Sequence, residues 1–209
     1  MNNYCIAIAR EFGSGGKEIG MKLSEKLGIP CYEQQILQMA SDRSGISEEL
    51  FNLSNEKLRG GYLQRMLRKE PVSYVVSPSD KEFTSDVNLF NIQAELIRDL
   101  AASESFIVIG KCADYVLRDS GNVLSVFIGS PLEDCVNSIT GKMHVDTKEA
   151  ERLVKRTNKY RADYYQYYTQ GQEWKDIWNW DMMLNSAKIG RAQCVELIAA
   201  AVQIRFCDN

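Results

Sequence analysis

Histidine is nearly absent from this chain: its 209 residues include one, His144. A Ser–His or Cys–His nucleophile system needs a histidine beside the nucleophile. His144 lies instead in a polar stretch, Gly141-Lys142-Met143-His144-Val145-Asp146, and reads as a solvated loop residue. The six cysteines, at 5, 31, 112, 135, 194 and 207, form no C-x-x-C pair, and no histidine accompanies them. No metal site is therefore expected from cysteine spacing. Cys5, Cys31 and Cys135 have apolar neighbours and read as small core residues, a use that suits a reducing cytoplasm. Excess charge of either sign is also lacking. Lysine and arginine total 25 against 28 aspartates and glutamates, a net charge of −3, which leaves no basic footprint for nucleic acid. No apolar run is long enough to span a bilayer. Met1-Asn2-Asn3-Tyr4 has neither the basic region nor the apolar run of a signal peptide. The expectation is one cytoplasmic domain, 1–209, with neither nucleic acid nor membrane as partner.

What is present is a glycine loop. Tyr4-Cys5-Ile6-Ala7-Ile8-Ala9 is an apolar run, and Ile19, Leu23 and Leu27 follow at helical spacing. Between them lies Arg10-Glu11-Phe12-Gly13-Ser14-Gly15-Gly16-Lys17-Glu18. Strand, glycine-rich turn and helix start together aim backbone N–H groups at an anion. Glycines allow close approach and positive φ, and Lys17 adds a mobile cation. Gly13, Ser14, Gly15, Gly16, Lys17 and Glu18 are thus the candidate nucleotide-binding residues. The strict pattern is G-x-x-x-x-G-K-[ST]. With Gly16-Lys17 as its G-K pair, Glu11 replaces the first glycine and Glu18 the hydroxyl residue. Moved back by one, Gly16 takes the lysine place and Lys17 the hydroxyl place. In neither register does a hydroxyl follow to hold Mg²⁺.

Short apolar runs alternate with helical patterns, the order of a parallel sheet covered by helices. Strands are expected at Tyr4–Ala9, Pro30–Tyr32, Phe106–Ile109, Val123–Ile128 and Met182–Asn185. Helices are expected at Lys17–Leu27, Gln34–Arg43, Asn88–Ala102, Cys112–Ser120, Leu132–Gly141, Thr147–Tyr168 and Arg191–Phe206. The stretch 47–86 breaks this rhythm. Ser47-Glu48-Glu49 resembles a helix start, a broken leucine stripe follows from Leu50 to Leu67, and Pro71 to Asp86 is rich in turn residues. It is too short to bury a core of its own and reads as a helical insertion on the substrate side.

Three further clusters carry chemistry. Phe106-Ile107-Val108-Ile109 ends in Gly110-Lys111, with Asp114 close behind. Ligands of open α/β sheets sit beyond the carboxyl ends of the strands, so Lys111 and Asp114 are candidate substrate contacts. The helix Thr147–Tyr168 gathers Arg156, Lys159 and Arg161 within two turns. Phosphoryl transfer needs cations that neutralise the moving oxygens, and a guanidinium fork fits phosphate well. Its tyrosines read as packing residues. Trp174, Trp178 and Trp180 read as a cover that buries ring area.

Read in order, REFGSGGKEIG, KLGIPCYEQQIL, FIVIGKCADYVL, VFIGSP, the Arg156–Arg161 cluster and WDMMLNSAKIG resemble the cytidylate kinase-like family, a branch of the P-loop nucleoside monophosphate kinases. The resemblance implies an α/β, three-layer P-loop NTPase fold: a five-stranded parallel sheet with helices on both faces, an NMP-binding insertion at 47–86 and a LID at about 141–170. It implies ATP as phosphoryl donor, Mg²⁺ as its companion, and a small nucleotide acceptor such as CMP or dCMP. A homodimer is compatible with it. It places Lys17, Arg156 and Arg161 in catalysis and Glu33 and Lys111 at the acceptor, where the strand-end rule also puts Asp114. A gapless match through the first helix sets Gly16, not Lys17, against the family's catalytic lysine, and the strand ending at Ile109 brings no carboxylate. Three readings stay open: a nucleoside monophosphate kinase, a nucleotide-binding regulatory module with weak or no activity, and a kinase for another small metabolite.

Overall fold

Every strand of the sheet is parallel, and β1 lies at its centre. The structure, a computed structural model, describes residues 3–56 and 74–207. β1 (Cys5–Arg10) leads through α1 (Gly16–Leu27) to β2 (Cys31–Tyr32). α2 (Gln35–Ser44) and α3 (Glu48–Glu56) follow, then α4 (Asp86–Ser103) and β3 (Phe106–Ile109). α5 (Ala113–Val116), β4 (Val123–Gly129), α6 (Leu132–Met143) and α7 (Thr147–Tyr168) come next. A short helical turn (Ile177–Asn179), β5 (Met182–Asn185), α8 (Ser186–Ile189) and α9 (Arg191–Val202) follow. The spatial order is β2-β3-β1-β4-β5. β1 continues towards β2 on one side and β4 towards β5 on the other. The crevice beyond the carboxyl ends of β1 and β4 is therefore a topological switch point, where such sheets bind ligands.

Strand burial follows from this position. β1 is apolar without alternation because both of its faces are covered. On one face α1 and α9 bury aliphatic side chains against Ile6, Ile8, Ile107 and Val126. The other face is richer in rings: Phe90, Phe106, Phe127, Tyr164, Tyr168, Trp174 and Trp180 pack with α2, α4 and α7. Phe90 stacks on Tyr168 with ring centroids 4.0 Å apart. The tyrosines of α7 thus serve packing, as expected. α4 also buries amides. Asn88 accepts from the Val76 amide at 2.8 Å and donates to the Phe83 carbonyl at 2.8 Å, pinning the preceding turn to the helix.

The five strands and most helices lie where the pattern predicts. Three expectations need correction. Cys112–Ser120 is not a full helix: α5 is a single turn that buries Ala113 and Val116, and Arg118 to Asn122 are exposed turn. Three left-handed residues, Gly110, Lys111 and Cys112, turn the chain just before it, so only one helical turn can reach the core. The last α-helix stops at Val202 and continues as a π-turn, Gln203–Cys207, which lets Phe206 stack on Tyr4 at 5.1 Å. Trp174 and Trp180 are buried against Phe127, but Trp178 is 88% exposed and covers nothing. His144 is exposed in a left-handed cap at the end of α6. Of the 47–86 insertion, the helix start at Ser47 is borne out by α3; the expectations from Leu58 to Leu67 and for Pro71 lie outside the described residues.

Candidate active site

The glycine loop runs from the end of β1 to the start of α1, fastened on all sides. The Glu11 amide donates to the Ile128 carbonyl at 3.0 Å, and the Phe12 amide donates to Asn158 Oδ1 at 2.7 Å. Ser14 is buried; its hydroxyl turns inward to the Glu11 carbonyl at 2.9 Å, and its own carbonyl accepts from Ser186 Oγ at 2.6 Å. Gly13 and Gly15 hold φ of 91° and 84°, the left-handed region where a side chain is strained. A Cβ on Gly13 would also stand 2.5 Å from the Cys135 carbonyl oxygen. The first-turn amides of α1, at Gly16, Lys17 and Glu18, have no intrahelical acceptor and carry the positive end of the helix dipole. This is an anion cradle.

Beside it, where β1, β2 and β3 end next to the start of α1, four cations among the described residues gather about one carboxylate. Arg10 Nη2 donates to Glu33 Oε1 at 2.9 Å, and Lys17 Nζ stands 2.6 Å from Glu33 Oε2. Burial raises the Glu33 carboxyl, but Lys17 and Arg10 outweigh it and hold the group below its ordinary range. Arg161 reaches over from α7: its Nη1 donates to the Arg10 carbonyl at 2.8 Å, with the guanidinium 5.7 Å from the Phe12 ring centroid. Burial, then the Arg10 charge, lowers Arg161, although a guanidinium stays protonated at neutral pH. Lys111 is held at φ 64° after Gly110. Burial and the neighbouring Arg10 charge push its ammonium down to about 7.

The remaining predicted residues are placed apart from this cluster. Glu18 faces the opposite side of α1, bound to Arg191 at 2.6 Å, Lys22 at 3.2 Å and Lys142 at 3.7 Å. Asp114, in the turn after Lys111, accepts from the Tyr165 hydroxyl at 2.7 Å. Burial raises its carboxyl to about 6 against that hydrogen bond. Arg156 is exposed on α7, where its charge adds to the Arg152 hydrogen bond in lowering Glu149. Thus Lys17, Glu33, Lys111 and Arg161 are brought together, while Glu18, Asp114 and Arg156 are not.

Sequence reasoning missed three contributors. Arg10 was read only as the first residue of the glycine-loop segment and given no role, whereas it is the last residue of β1. Ser186 ties the loop to the start of α8; it lay inside the motif WDMMLNSAKIG but was given no role of its own. Arg191 crosses the loop: a Cβ on Gly15 would overlap its side chain, and its Nη2 donates to Ser138 Oγ at 3.0 Å. A cleft of about 390 Å³ opens on this far side of the loop, lined by Glu11, Ser130, Leu132, Cys135, Asn158 and Lys175 among others. Glu11 accepts from the Ser130 amide at 3.0 Å and pairs with Lys175.

The residues present do not fit a metal held by the protein. Lys17 follows Gly16 where a hydroxyl would hold Mg²⁺. Both oxygens of Glu33 are taken by cations. Among the described residues no three His, Cys, Asp or Glu side chains gather as a ligand set.

Known proteins share this fold. The family model of the cytidylate kinase-like family matches residues 5–188. No curated protein matches the chain. Among solved structures, an uncharacterized protein from Eubacterium ventriosum superposes with a TM-score of 0.72 at 24% identity, covering 97% of this chain and 100% of that one. A sugar kinase from Janibacter sp. gives 0.52 at 15% identity, covering 97% and 95%. The shikimate kinase from Acinetobacter baumannii, in complex with shikimate, gives 0.51 at 10% identity, covering 99% and 96%.

Proposed function

The chain belongs to the cytidylate kinase-like family, and from that premise we propose that it transfers the γ-phosphoryl of ATP to a small acceptor that is itself a phosphate ester, with CMP or dCMP as the first candidates. The observation that carries this reading is the surplus of positive charge, most of it half-buried, beside the anion cradle among the described residues. Arg10, Lys17, Lys111 and Arg161 face one carboxylate, Glu33. A donor triphosphate on the loop amides would place its terminal group at the edge of that cluster. The cluster would then neutralise the transferring group and hold the acceptor's phosphate, which is the stabilisation that phosphoryl transfer requires. An ionised phosphate acceptor needs no strong general base, and none is offered. Glu33 would release its cations to the incoming phosphates and orient the acceptor. Lys17 and the loop amides would hold the β- and γ-phosphates. Arg156 would close over the site only if α7 or its side chain moves. Mg²⁺ accompanying ATP would find its ligands in phosphate oxygens and water, since the loop supplies no ligand set.

The test is ADP release dependent on both ATP and an acceptor, over a panel of nucleoside monophosphates and other phosphorylated metabolites. Turnover with one class of acceptor is expected. ATP binding without turnover on any acceptor would instead favour a nucleotide-binding regulatory module. The Lys17–Glu33 pairing and the absent metal ligands motivate that second reading.

A further inference from the structure

A phosphate loop normally sends a lysine from the start of its helix to the phosphoryl group. Here the position before Lys17 is Gly16, and the Arg10 side chain leaves no room for a side chain there. A Cβ on Gly16 would overlap the Cβ of Arg10 and stand 3.0 Å from its Cγ and 3.4 Å from Ile128 Cβ. The space is already filled, and Arg10 fills it. Its side chain starts against Gly16 and ends over Gly110, where a Cβ would stand 2.5 Å from Arg10 Nη1. At the root of this path the Arg10 Cβ demands glycine at position 16; at its tip the guanidinium lies over Gly110, whose φ of 78° favours glycine. The route ends at Glu33, inside the cation cluster, with the side chain only 17% exposed.

We propose that Arg10 is the catalytic cation of this loop: its guanidinium takes the place of the absent helix lysine and contacts the terminal phosphoryl group of the donor. The proposal rests on the phosphotransferase reading above but is tested separately from it. In the free protein Glu33 occupies the guanidinium; a triphosphate on the loop would replace that carboxylate with phosphate oxygens. The fork of arginine suits the exchange, because it meets phosphate and carboxylate with the same two parallel donors. Lys17, 61% exposed on the same carboxylate, is left as a mobile second cation.

The exchange of side chains between positions 10 and 16 supplies the test. Gly16→Lys, Arg10→Gly and the double variant are compared with the wild type by melting temperature and by titration with ATP and with inorganic triphosphate. Gly16→Lys alone is expected to lower the melting temperature by several degrees, because its Cβ meets Arg10. Arg10→Gly is expected to keep the fold and weaken triphosphate binding on the order of ten- to a hundredfold. In the double variant the melting temperature should return towards that of Arg10→Gly, and triphosphate affinity should recover in part. Arg10→Lys should bind better than Arg10→Gly and worse than the wild type. Two results would overturn the proposal: unchanged triphosphate affinity in Arg10→Gly, or a double variant as unstable as Gly16→Lys. A wild type that binds no triphosphate would overturn it too. ATP binding without turnover would sink the kinase reading and leave the Arg10 result standing. Turnover unaffected by Arg10→Gly would do the reverse.

Discussion

The two flanks of the phosphate loop both carry ion pairs, yet they are built differently. On the β2–β3 flank, Arg10, Lys111 and Arg161 are largely withdrawn from water, and together with Lys17 they share one carboxylate. On the α6–α9 flank, Glu18 meets Arg191, Lys22 and Lys142, whose side chains are 31%, 52% and 55% exposed. Among the described residues both flanks hold more cations than carboxylates. On the first, three of the four cations are half-buried, against one of three on the second, and Coulomb attraction for an anion strengthens as water is withdrawn. Solvent screens the second. Counting charges does not find the site; counting buried and uncompensated charge does.

The comparison can be broken by removing one arginine from each flank. Arg161→Ala should lower turnover by roughly a hundredfold or more, the scale expected for a cation on a transferring phosphoryl group. Arg191→Ala should change it only a few-fold. Equal effects in steady-state kinetics would erase the distinction.

Next in size is the loop itself. Gly13→Ala meets both positive φ and the Cys135 carbonyl. It should cost about 2–4 kcal/mol of stability in denaturant unfolding, because the loop is fixed against the start of α6 and cannot move aside.

A smaller effect sharpens the role of burial. The Lys111 ammonium titrates at about 7, far below its unfolded value near 10.4. The charged form that an anion prefers is present below 7 and lost as pH rises through it. Affinity for sulfate, which does not titrate here, should therefore fall by up to about tenfold per pH unit above 7. Lys111→Arg should remove that slope, since a guanidinium does not deprotonate. Asp114 gives the matching stability measurement. Its folded value, about 6, lies above the unfolded one. Its neutral form thus favours the native state at low pH, and that contribution is lost as pH rises through 6. Asp114→Asn should gain about 1–2 kcal/mol at pH 8 and nothing near pH 4 in thermal unfolding. The smallest expected effect is at the exposed Lys26–Glu196 pair, where Lys26→Ala should change stability by about 0–1 kcal/mol.

How far the site was legible follows from what each residue advertises. Gly13, Gly15 and Gly16 announce a turn because few other residues tolerate it, and they were readable. Lys111 was put on the ligand side of the sheet by a rule about strand ends. Arg161 was found by its neighbours on one helix, yet Arg156 shared the same signal and lies exposed, apart from the cluster. Spacing along α7 cannot say which face meets the loop; the Arg161 bond to the Arg10 carbonyl does. Arg10 stayed hidden because its meaning depends on Gly16 and Gly110, and the latter is a hundred positions away. The Trp178 error has the same origin: three tryptophans close in sequence share a composition, but only two point at Phe127.

By itself the sequence determined the alternation of strands and helices, the parallel sheet and the phosphate-binding turn, because backbone preference and hydrophobic period act over a few residues at a time. The tertiary structure alone decided which cations converge on Glu33, which are buried, and that position 16 must be bare. Those outcomes depend on strands β1, β2 and β3 ending side by side, and so on packing between residues that no local pattern connects.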